Sequence, residues 1–331
     1  MTRKESIILT RKQVADLLHV TECIDAMENV FRLYGKGQAQ KPGILGIPAH
    51  GGGFHIKAGM LDMGRNYFVA KINGNFPDNP KRSGLPTIQG LIAVFDADTG
   101  KPLALLDSIH ISILRTGSAT AVAARYLAPR STSVLTICGC GNQGRISLLC
   151  LSEIFKFTKI FVYDINEQTA RTFATQMASE VGTPVEYVSD LSHATFQSDI
   201  CITCTPSKKP YLQKKDISPG TFIAAVGSDN EDKQELDADL ITSSLLVTDV
   251  TDQCASIGEL HHAIDQGLMR KEQVYAELGE IISGKRPGRQ NDEDVIIFDS
   301  TGMALQDAAA AAIVYEKALQ TTTDIPIDLN Q

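Results

Sequence analysis

The spacing of hydrophobic and polar positions changes along the chain and predicts two kinds of structure. Residues 7–40 repeat apolar side chains at intervals of three and four, which predicts two amphipathic helices. Short β-like runs, separated by glycine and proline, follow at 53–59, 67–72 and 90–95. Turn-forming residues at 96–101 then predict a hairpin into a further strand at 103–106.

The second half of the chain alternates between strands and helices. An alanine-rich helix is predicted at Ile111–Leu127 and ends before Pro129. The candidate strands that follow lie at 133–138, 159–163, 199–203, 221–226 and 245–249. Regular alternation of this kind predicts a parallel sheet with helices on both faces. A last alanine-rich helix is predicted at Met303–Leu319, and we expect subunit contact through the domain that contains it.

The predicted fold class is therefore α/β with two domains, as expected for a chain of 331 residues. Residues 129–303 are predicted to form a doubly wound parallel sheet domain of the Rossmann type. This domain is inserted into a discontinuous α+β domain made of residues 1–128 and 304–331.

The run 133–144 carries a dinucleotide-binding motif. Its apolar strand leads into Gly139-Cys140-Gly141-Asn142-Gln143-Gly144 and then into a helical stretch. In such a turn the glycines allow a sharp bend, close approach of a pyrophosphate and close helix packing, while the helix N-terminus offers N–H groups to the phosphates. Asp164 ends the next strand about 20 residues later, where an acid meets the adenosine ribose. The alternative is an ordinary βαβ unit with a tight turn.

Asp164 also bears on the choice of cofactor. A carboxylate that accepts hydrogen bonds from both ribose hydroxyls would repel a 2′-phosphate, and no arginine follows until Arg171. The sequence therefore favours NAD(H) over NADP(H).

Composition excludes several classes of partner. A net charge of −8 without clustered Lys and Arg argues against a nucleic-acid partner. No apolar run approaches the ~20 residues that cross a bilayer, and the first apolar stretch is too short for a signal-peptide core. Seven scattered cysteines fit a reducing compartment, and those near Cys138 and Cys201 lie on apolar strands, so we expect no metal site and a cytoplasmic protein.

Four charged residues stand out because each interrupts or ends an apolar element. Lys71 ends a strand before a turn, and Lys57 lies in another strand; either could be a solvated strand lysine. Arg115 lies near the start of the alanine-rich helix, as a surface residue or as a clamp for a carboxylate. Asp229 follows a strand. It lies either at the edge where α/β sheets bind ligands or at the cap of a helix.

These residues and their neighbours resemble the ornithine cyclodeaminase/μ-crystallin family over nearly the whole chain. The family-like segments are Lys71-Ile72-Asn73-Gly74 with Asn79-Pro80, Gly84-Leu85-Pro86-Thr87, Leu114-Arg115-Thr116-Gly117, the glycine-rich turn, 225–229 with 233–236, 276–280 and 298–302. Within the family, 203–210 and Ala304-Leu305-Gln306-Asp307 look most like the archaeal-type alanine dehydrogenases.

The resemblance implies an NAD-binding Rossmann domain and a dimerisation domain that supplies the substrate pocket, hence a homodimer. By analogy Lys71 and Arg115 would hold the substrate α-carboxylate or polarise its carbonyl or imine, and Asp229 would handle protons on nitrogen or on attacking water. Hydride transfer builds charge on the heteroatom, so a fixed cation and a proton donor lower the barrier. The implied substrate-binding residues are Lys57, Lys71, Arg115 and Thr87; the implied cofactor-binding residues are Arg115, Thr116, Gly139, Gly141, Asn142, Gln143, Gly144, Asp164, Thr203, Thr205, Val226 and Ser228.

Three features separate this chain from branches of the family. The crystallin branch lacks an acid matching Asp229 and carries a basic residue near the ribose, so the two aspartates favour a catalytic member that uses NAD. Family members carry an arginine after the proline near Pro42, where this chain has Gly43, so one substrate contact is missing or replaced. Lys57 falls near the glutamate that receives the distal ammonium in ornithine-specific members.

A lysine at position 57 would repel a diamino acid, since two cations ~4 Å apart cost a few kcal/mol at moderate dielectric. The leading hypothesis is therefore an NAD-dependent oxidoreductase, an amino acid dehydrogenase or imine reductase, that acts on the C–N bond of a small 2-oxo or 2-imino acid, including an acidic one. The alternatives are a cyclodeaminase with catalytic NAD and a crystallin-like binding protein without turnover.

Overall fold

The computed structural model describes residues 5–321 and 325–329. Residues 1–4, 322–324 and 330–331, which belong to the predicted discontinuous α+β domain, lie outside the described residues. The described residues form two compact units. Unit 1 comprises those up to Arg115 together with those from Met303 onwards, and unit 2 comprises Thr116–Gly302. The boundary after Arg115 lies inside the helix predicted at Ile111–Leu127, which the sequence analysis placed whole in the discontinuous α+β domain.

The strands, in chain order, are β1 (Ser6–Leu9), β2 (Gly43–Ala49), β3 (Gly52–Asp62), β4 (Asn66–Asn75), β5 (Ile88–Asp96), β6 (Pro102–Asp107), β7 (Val134–Cys138), β8 (Lys159–Tyr163), β9 (Val185–Tyr187), β10 (Ile200–Thr203), β11 (Lys208–Leu212), β12 (Phe222–Ala225), β13 (Gln234–Leu236), β14 (Leu245–Thr248), β15 (Ala276–Glu277), β16 (Ile296–Asp299) and β17 (Ile325–Ile327).

The helices are α1 (Arg11–Leu17), α2 (Val20–Gly35), α3 (Asn79–Ser83), α4 (Ile109–Leu127), α5 (Asn142–Ser152), α6 (Glu167–Val181), α7 (Leu191–Phe196), α8 (Ala238–Thr242), α9 (Thr251–Ile257), α10 (Glu259–Asp265), α11 (Leu278–Ile282) and α12 (Ala304–Ala318). Short 3₁₀ turns lie at Lys214–Asp216 and Lys271–Gln273. In the described part of the chain, no helix is both long enough and apolar enough to span a membrane.

Unit 1 is built on a mixed sheet with the strand order β17-β1-β6-β5-β4-β3-β2. From β6 to β2 every pair is antiparallel, which includes the predicted hairpin between β5 and β6. Helix α12 packs on β3, β4 and α2. Its run of five alanines, 308–312, is buried, and such small side chains permit close packing.

A glycine in β3 determines how closely α12 approaches the sheet. A Cβ at Gly59 would lie 3.0 Å from the Leu305 side chain and 3.6 Å from the Ala304 Cβ. Glycine at this position therefore lets the first turn of α12 sit on β3. This contact brings the polar pair Gln306 and Asp307 against the buried face of β3 and β4.

Unit 2 has the predicted doubly wound architecture. Its main sheet has the order β15-β14-β16-β12-β10-β7-β8-β9, and all its strand pairs are parallel. The chain order reverses at β7, which pairs with β8 on one side and β10 on the other. In an open α/β sheet, ligands bind outside the carboxyl ends of the strands at such a reversal. The glycine-rich turn follows β7 directly.

Two parts of the sequence-based prediction differ from the structure. Residues 7–9, included in the predicted helical region 7–40, belong to β1, which pairs with β6 and β17. Three consecutive apolar residues favour a buried strand as readily as a helix turn. The strands β2, β9, β11, β13, β15, β16 and β17 were not predicted. Most of these have only two to five residues, too few to show a period.

Candidate active site

Unit 1 contains a buried charged cluster centred on Asp307. Lys71, on β4, is 3% exposed, and its Nζ donates to Asp307 Oδ1 at 2.8 Å and to Ser112 Oγ at 3.2 Å. Arg115, on α4, is 8% exposed; its Nη1 donates to Gln306 Oε1 at 2.9 Å, and its Nε lies 3.4 Å from Asp307 Oδ1. The structure therefore excludes the solvated-lysine interpretation of Lys71 and the surface interpretation of Arg115.

Burial and neighbouring charges shift the pKa values of Lys71 and Asp307. Burial, with smaller contributions from the positive charges of Arg115 and Lys57, lowers the pKa of Lys71 to about 7, although the carboxylate of Asp307 opposes the shift. Burial by itself would raise the pKa of Asp307, but Lys71 and Arg115 more than offset it and hold that pKa below its usual value. Asp307 is therefore an anion at neutral pH, and Lys71 is poised between its two protonation states.

The cluster keeps hydrogen-bonding capacity that its own side chains do not use. Arg115 Nε, Gln306 Nε2 and Asp307 Oδ2 are buried polar atoms without a hydrogen-bond partner among the described residues. Buried polar groups in folded proteins are nearly always satisfied by protein, water or ligand. An arginine, a lysine near its pKa and a carboxylate together can bind a carboxylate and exchange a proton with a neighbouring atom.

Two further residues were predicted to bind substrate, Lys57 and Thr87. Lys57 and Lys71 are direct cross-strand partners on β3 and β4, so both side chains leave the sheet on the same face. Thr87 lies in the loop before β5, where its carbonyl accepts a hydrogen bond from Phe76 N at 2.8 Å. Its predicted contact with substrate stays a prediction.

Sequence reasoning missed the centre of the cluster. Gln306 and Asp307 were noted only as part of a family-like segment, and Ser112 was not considered. The signal was nevertheless present, because a polar pair followed by five alanines interrupts an otherwise apolar helix. The same criterion had selected Lys71 and Arg115.

In unit 2 the glycine-rich turn has the geometry that the motif predicts. Gly139 has φ of 108°, in the left-handed region that favours glycine, and a Cβ at Gly144 would lie 2.2 Å from the carbonyl oxygen of Gly139. Gly141 is the N-cap of α5, and a Cβ on it would meet no atom within 4 Å. Gly139 and Gly144 thus shape the turn, whereas Gly141 borders open space at a helix N-terminus.

Asp164 is held beside this turn. Its Oδ2 accepts from Cys140 N at 3.0 Å, and its Oδ1 accepts from Asn166 N at 2.9 Å. Arg171, the first arginine after it, pairs with Glu167 at 2.7 Å and lies over the Tyr187 ring at 4.5 Å. The acid is therefore fixed at the turn, while that arginine is engaged elsewhere.

A groove of about 450 Å³ opens between α5 and α6 next to the turn. Its walls include Cys140, Gly141, Asn142 and Arg145 on one side and Asn166 and Gln168 on the other. Gln143, in the first turn of α5, has a buried Oε1 with no hydrogen-bond partner in the described structure. These residues fit the phosphate and adenosine portions of a dinucleotide.

The predicted cofactor residues at the ends of β10 and β12 are connected by one buried carboxylate. Glu235 accepts from Thr205 N at 2.6 Å, from Thr205 Oγ1 at 2.7 Å and from Gly227 N at 3.0 Å. Ser228 Oγ donates to the Lys233 carbonyl at 2.7 Å. Thr203 and Val226 are buried at the strand ends, as is Thr116 in α4.

Asp229 lies in the loop after β12, within unit 2. Its Oδ1 accepts from Lys233 Nζ at 2.7 Å, and its side chain is 49% exposed. Residues 227–233 form no helix, so the helix-cap alternative for Asp229 is wrong. Across the described ranges, no group of three or more His, Cys, Asp or Glu side chains is arranged to hold a metal ion.

The chain is similar over nearly its whole length to known proteins. The model of the "Ornithine cyclodeaminase/mu-crystallin family" matches residues 4–322. The alanine dehydrogenase of Archaeoglobus fulgidus is 36% identical over 316 residues, covering 95% of this chain and 96% of that protein. A solved archaeal alanine dehydrogenase dimer with bound NAD matches with a TM-score of 0.94 and 36% identity, covering 98% of this chain and 99% of that one.

A solved iminosuccinate reductase of Paracoccus denitrificans in complex with NAD⁺ also matches. Its TM-score is 0.90 and its identity 31%, covering 98% of this chain and all of that one. These proteins confirm the predicted fold class and are NAD-linked enzymes of amino and imino acids. The chain therefore belongs to the ornithine cyclodeaminase/μ-crystallin family, and its relatives in that family include NAD-dependent amino acid dehydrogenases and imine reductases.

Proposed function

We propose that this protein is an NAD(H)-dependent oxidoreductase that reduces the C=N bond of a small 2-imino acid, formed from a 2-oxo acid and ammonia, to an amino acid. The observation that carries the proposal is the buried Lys71–Asp307–Arg115 cluster in unit 1. It occurs in a chain whose unit 2 has the glycine-rich turn and the fixed Asp164 of a dinucleotide site. The relatives' activities support the same reaction class.

In this proposal Arg115 and Lys71 bind the substrate α-carboxylate and place positive charge beside the imine nitrogen. With bound NADH as the hydride donor, reduction takes one hydride at carbon and one proton at nitrogen, so imino acid, NADH and H⁺ give amino acid and NAD⁺. Because its pKa is about 7, Lys71 can supply that proton near neutral pH. Asp307 holds the Lys71 ammonium in place through the 2.8 Å hydrogen bond.

Asp229 is proposed as the second proton-handling group, acting on the substrate nitrogen or on water. Its carboxylate is half exposed and paired with Lys233, so it is reachable by a small molecule. The cofactor would be held by the turn 139–144, by Asp164 at its ribose, and by Thr116, Thr203, Thr205, Val226 and Ser228.

We further infer a homodimer and a cytoplasmic location. The outer face of the unit 1 sheet exposes apolar side chains on neighbouring strands: Leu45, Phe54, Met60, Ile72, Leu91 and Leu105 are 37–56% exposed. Patches of this kind mark protein–protein contacts, and the archaeal relative is a dimer. A cytoplasmic location is supported by dependence on NAD(H) and by an odd number of scattered cysteines.

The proposed function is tested by adding purified protein to NADH, ammonia and a panel of 2-oxo acids, and to NADH with a cyclic imino acid, while absorbance at ~340 nm is followed. Oxidation of NADH that requires the acid supports the proposal. Release of ammonia from ornithine under catalytic NAD, without net NADH, would instead establish the cyclodeaminase alternative.

Replacement of Asp229 by Asn distinguishes a role in NADH binding from a role in the chemical step. The Asp229→Asn variant should bind NADH as the wild type does, measured by fluorescence titration, and lose turnover by about 100-fold or more. Unchanged turnover would remove Asp229 from the mechanism. Lys208→Met is a suitable control, since Lys208 forms an exposed pair with Asp232 in the same unit.

A further inference from the structure

Glu235, on β13, is a fully buried carboxylate that connects two loops of unit 2. Its Oε1 accepts hydrogen bonds from the backbone N and Oγ1 of Thr205, in the loop after β10, and from the Tyr211 hydroxyl at 2.8 Å. Its Oε2 accepts from Gly227 N, in the loop after β12, at 3.0 Å. Because β10 and β12 are adjacent parallel strands, one side chain holds together the two loops at their carboxyl ends.

None of the four groups that donate to Glu235 is charged. Burial raises the pKa of Glu235, and the hydrogen bonds from Thr205 and Tyr211 oppose that shift without reversing it. A buried carboxylate without a cation costs free energy. Glutamine would not serve equally well, because its side chain has one acceptor oxygen and would turn an N–H group toward one of the donors. The position therefore requires two acceptor oxygens.

The surroundings of Glu235 fix the direction of its side chain. Glu259, also fully buried, accepts from Glu235 N at 2.8 Å and from Leu236 N at 3.1 Å. A Cβ at Gly227 would lie 2.3 Å from Glu235 Oε2 and 2.6 Å from the carbonyl oxygen of Thr205. Glycine at position 227 therefore lets β13 and the two loops meet at one point.

The loop after β12 also carries Asp229, the proposed proton-handling group. The hydrogen bond from Gly227 N to Glu235 joins the two ends of this loop. Within the loop, Ser228 Oγ donates to the Lys233 carbonyl at 2.7 Å, and Lys233 Nζ donates to Asp229 Oδ1 at 2.7 Å. The position of the Asp229 carboxylate depends on the loop, and the position of the loop depends on Glu235.

We propose that Glu235 is a positioning residue for the reaction. Its carboxylate sets the distance between the loops after β10 and β12, which the proposed function assigns to the cofactor, and so places Asp229 for proton transfer. This inference rests on the proposed function and adds a residue to it. Because Glu235 is fully buried, it acts through the loops and exchanges no proton with the substrate.

A simpler explanation is that Glu235 only stabilises the fold of unit 2. A purely structural residue would affect NADH binding and turnover together, and its effect would be independent of Asp229. A positioning residue lowers turnover more than NADH affinity, and its effect disappears once Asp229 has been changed. The experiments therefore measure both differences.

The first experiment compares Glu235→Gln with Tyr211→Phe. In Glu235→Gln the remaining oxygen can still accept from Thr205, whereas the amide N–H group faces Gly227 N–H and displaces the Asp229 loop. We expect kcat for a preformed cyclic imino acid to fall about 30-fold, with NADH affinity within about threefold of the wild type by fluorescence titration. Tyr211→Phe removes one donor but leaves both loops connected, so its kcat should stay within about twofold. Equal losses in both variants, or wild-type kcat in Glu235→Gln, would overturn the inference.

The second experiment combines Glu235→Gln with Asp229→Asn. A residue that acts through Asp229 has little left to lose in the double variant, whose kcat should lie within about threefold of Asp229→Asn alone. Losses that multiply would show that Glu235 acts independently of Asp229 and would contradict the proposal. Thermal melting checks that each variant folds.

Glu235→Asp provides a second variant if Glu235→Gln does not fold. It keeps the charge and both oxygens but is one methylene shorter, so it cannot reach both loops, and kcat should fall about tenfold. Amide hydrogen exchange gives a measurement without turnover: residues 227–233 should exchange faster in either Glu235 variant, while α5 should not change. Unchanged exchange in both variants would contradict the role of Glu235.

The two proposals fail in different ways. Oxidation of NADH by the wild type, with unchanged kcat in the Glu235 variants, would overturn the positioning role and leave the proposed function standing. Faster exchange of the loop in those variants, without NADH oxidation by the wild type on any acid, would show that Glu235 fixes the loop and would overturn the proposed function.

Discussion

At the residue scale, Lys71 is a group of the charged cluster whose charge changes near neutral pH. Its pKa is lowered by burial to about 7, so the ammonium form dominates below that pH and is lost above it. If the ammonium supplies the proton, kcat/KM for a preformed cyclic imino acid should fall as pH rises through about 7. The residual activity of Lys71→Arg should lack this inflection, because a guanidinium stays charged. Retention of the inflection in that variant would assign it to another group.

A second prediction at this scale concerns Asp307. Its negative charge raises the pKa of Lys71 against the effect of burial, so its removal should lower that pKa further. We expect Asp307→Asn to move the inflection of the pH–rate profile to lower pH and to reduce kcat/KM by about 100-fold.

Asp107→Asn is the matched control, because Asp107 pairs with Arg11 at the surface of the same unit. Exposed pairs contribute about 0–1 kcal/mol, so this control should keep its pH profile. An unshifted profile in Asp307→Asn would show that Asp307 does not set the protonation of Lys71.

Sequence alone identified Lys71 and Arg115 because a charge within an apolar element requires an explanation. It did not identify the partner that makes them a site. Asp307 lies more than 230 residues from Lys71 along the chain, and the packing of its helix on β3 and β4, which Gly59 permits, brings the two together. A polar residue in an alanine-rich helix is visible in a sequence, but the strand it faces is not.

At the element scale, two glycines of the same turn should respond differently to substitution by alanine. A Cβ at Gly144 would lie 2.2 Å from a backbone oxygen, so Gly144→Ala must displace the turn and should lower the melting temperature. A Cβ at Gly141 would meet nothing within 4 Å of the protein but would enter the space beside the helix N-terminus. Gly141→Ala should therefore melt near the wild type and bind NADH at least about tenfold more weakly.

Differential scanning fluorimetry and NADH fluorescence titration measure both quantities. Normal NADH affinity in Gly141→Ala would show that the dinucleotide does not approach this turn. The Gly141→Ala and Gly144→Ala variants control for each other, since each adds one methyl group to the same segment.

The elements that the sequence predicted well are those with a strong period or a strong motif. Strand β4 alternates between buried and partly buried positions over most of its length, and the segment from β7 to Asp164 follows the spacing of the dinucleotide fold. The strand β16 was missed although Ile296–Asp299 is buried throughout, as are the predicted strands β10 and β12. Four residues without alternation do not by themselves distinguish a strand from a helix turn. Strand β1 was misassigned because its pairing with β6 is a long-range contact.

At the scale of the whole molecule, the unit 1 sheet has two faces of different character. One face is covered by α12, and the other exposes a row of apolar residues across its central strands. Leu91 and Ile72 are direct partners on that row and are 56% and 47% exposed. Soluble monomers rarely leave a contiguous apolar surface of this extent in water, which supports a second copy of the chain as its partner.

A charge on this row should separate the subunits. Leu91→Glu is expected to convert a dimer into a monomer, because burying an unpaired carboxylate in an apolar contact costs several kcal/mol. Phe196→Glu is the matched control, since Phe196 is also 56% exposed but lies in unit 2. Light scattering coupled to size exclusion gives the mass of each variant, and NADH titration shows whether the Rossmann unit stays folded. If Leu91→Glu keeps the dimeric mass, or if the wild type is already a monomer, the apolar row is not the subunit contact and its exposure must be explained by a different partner.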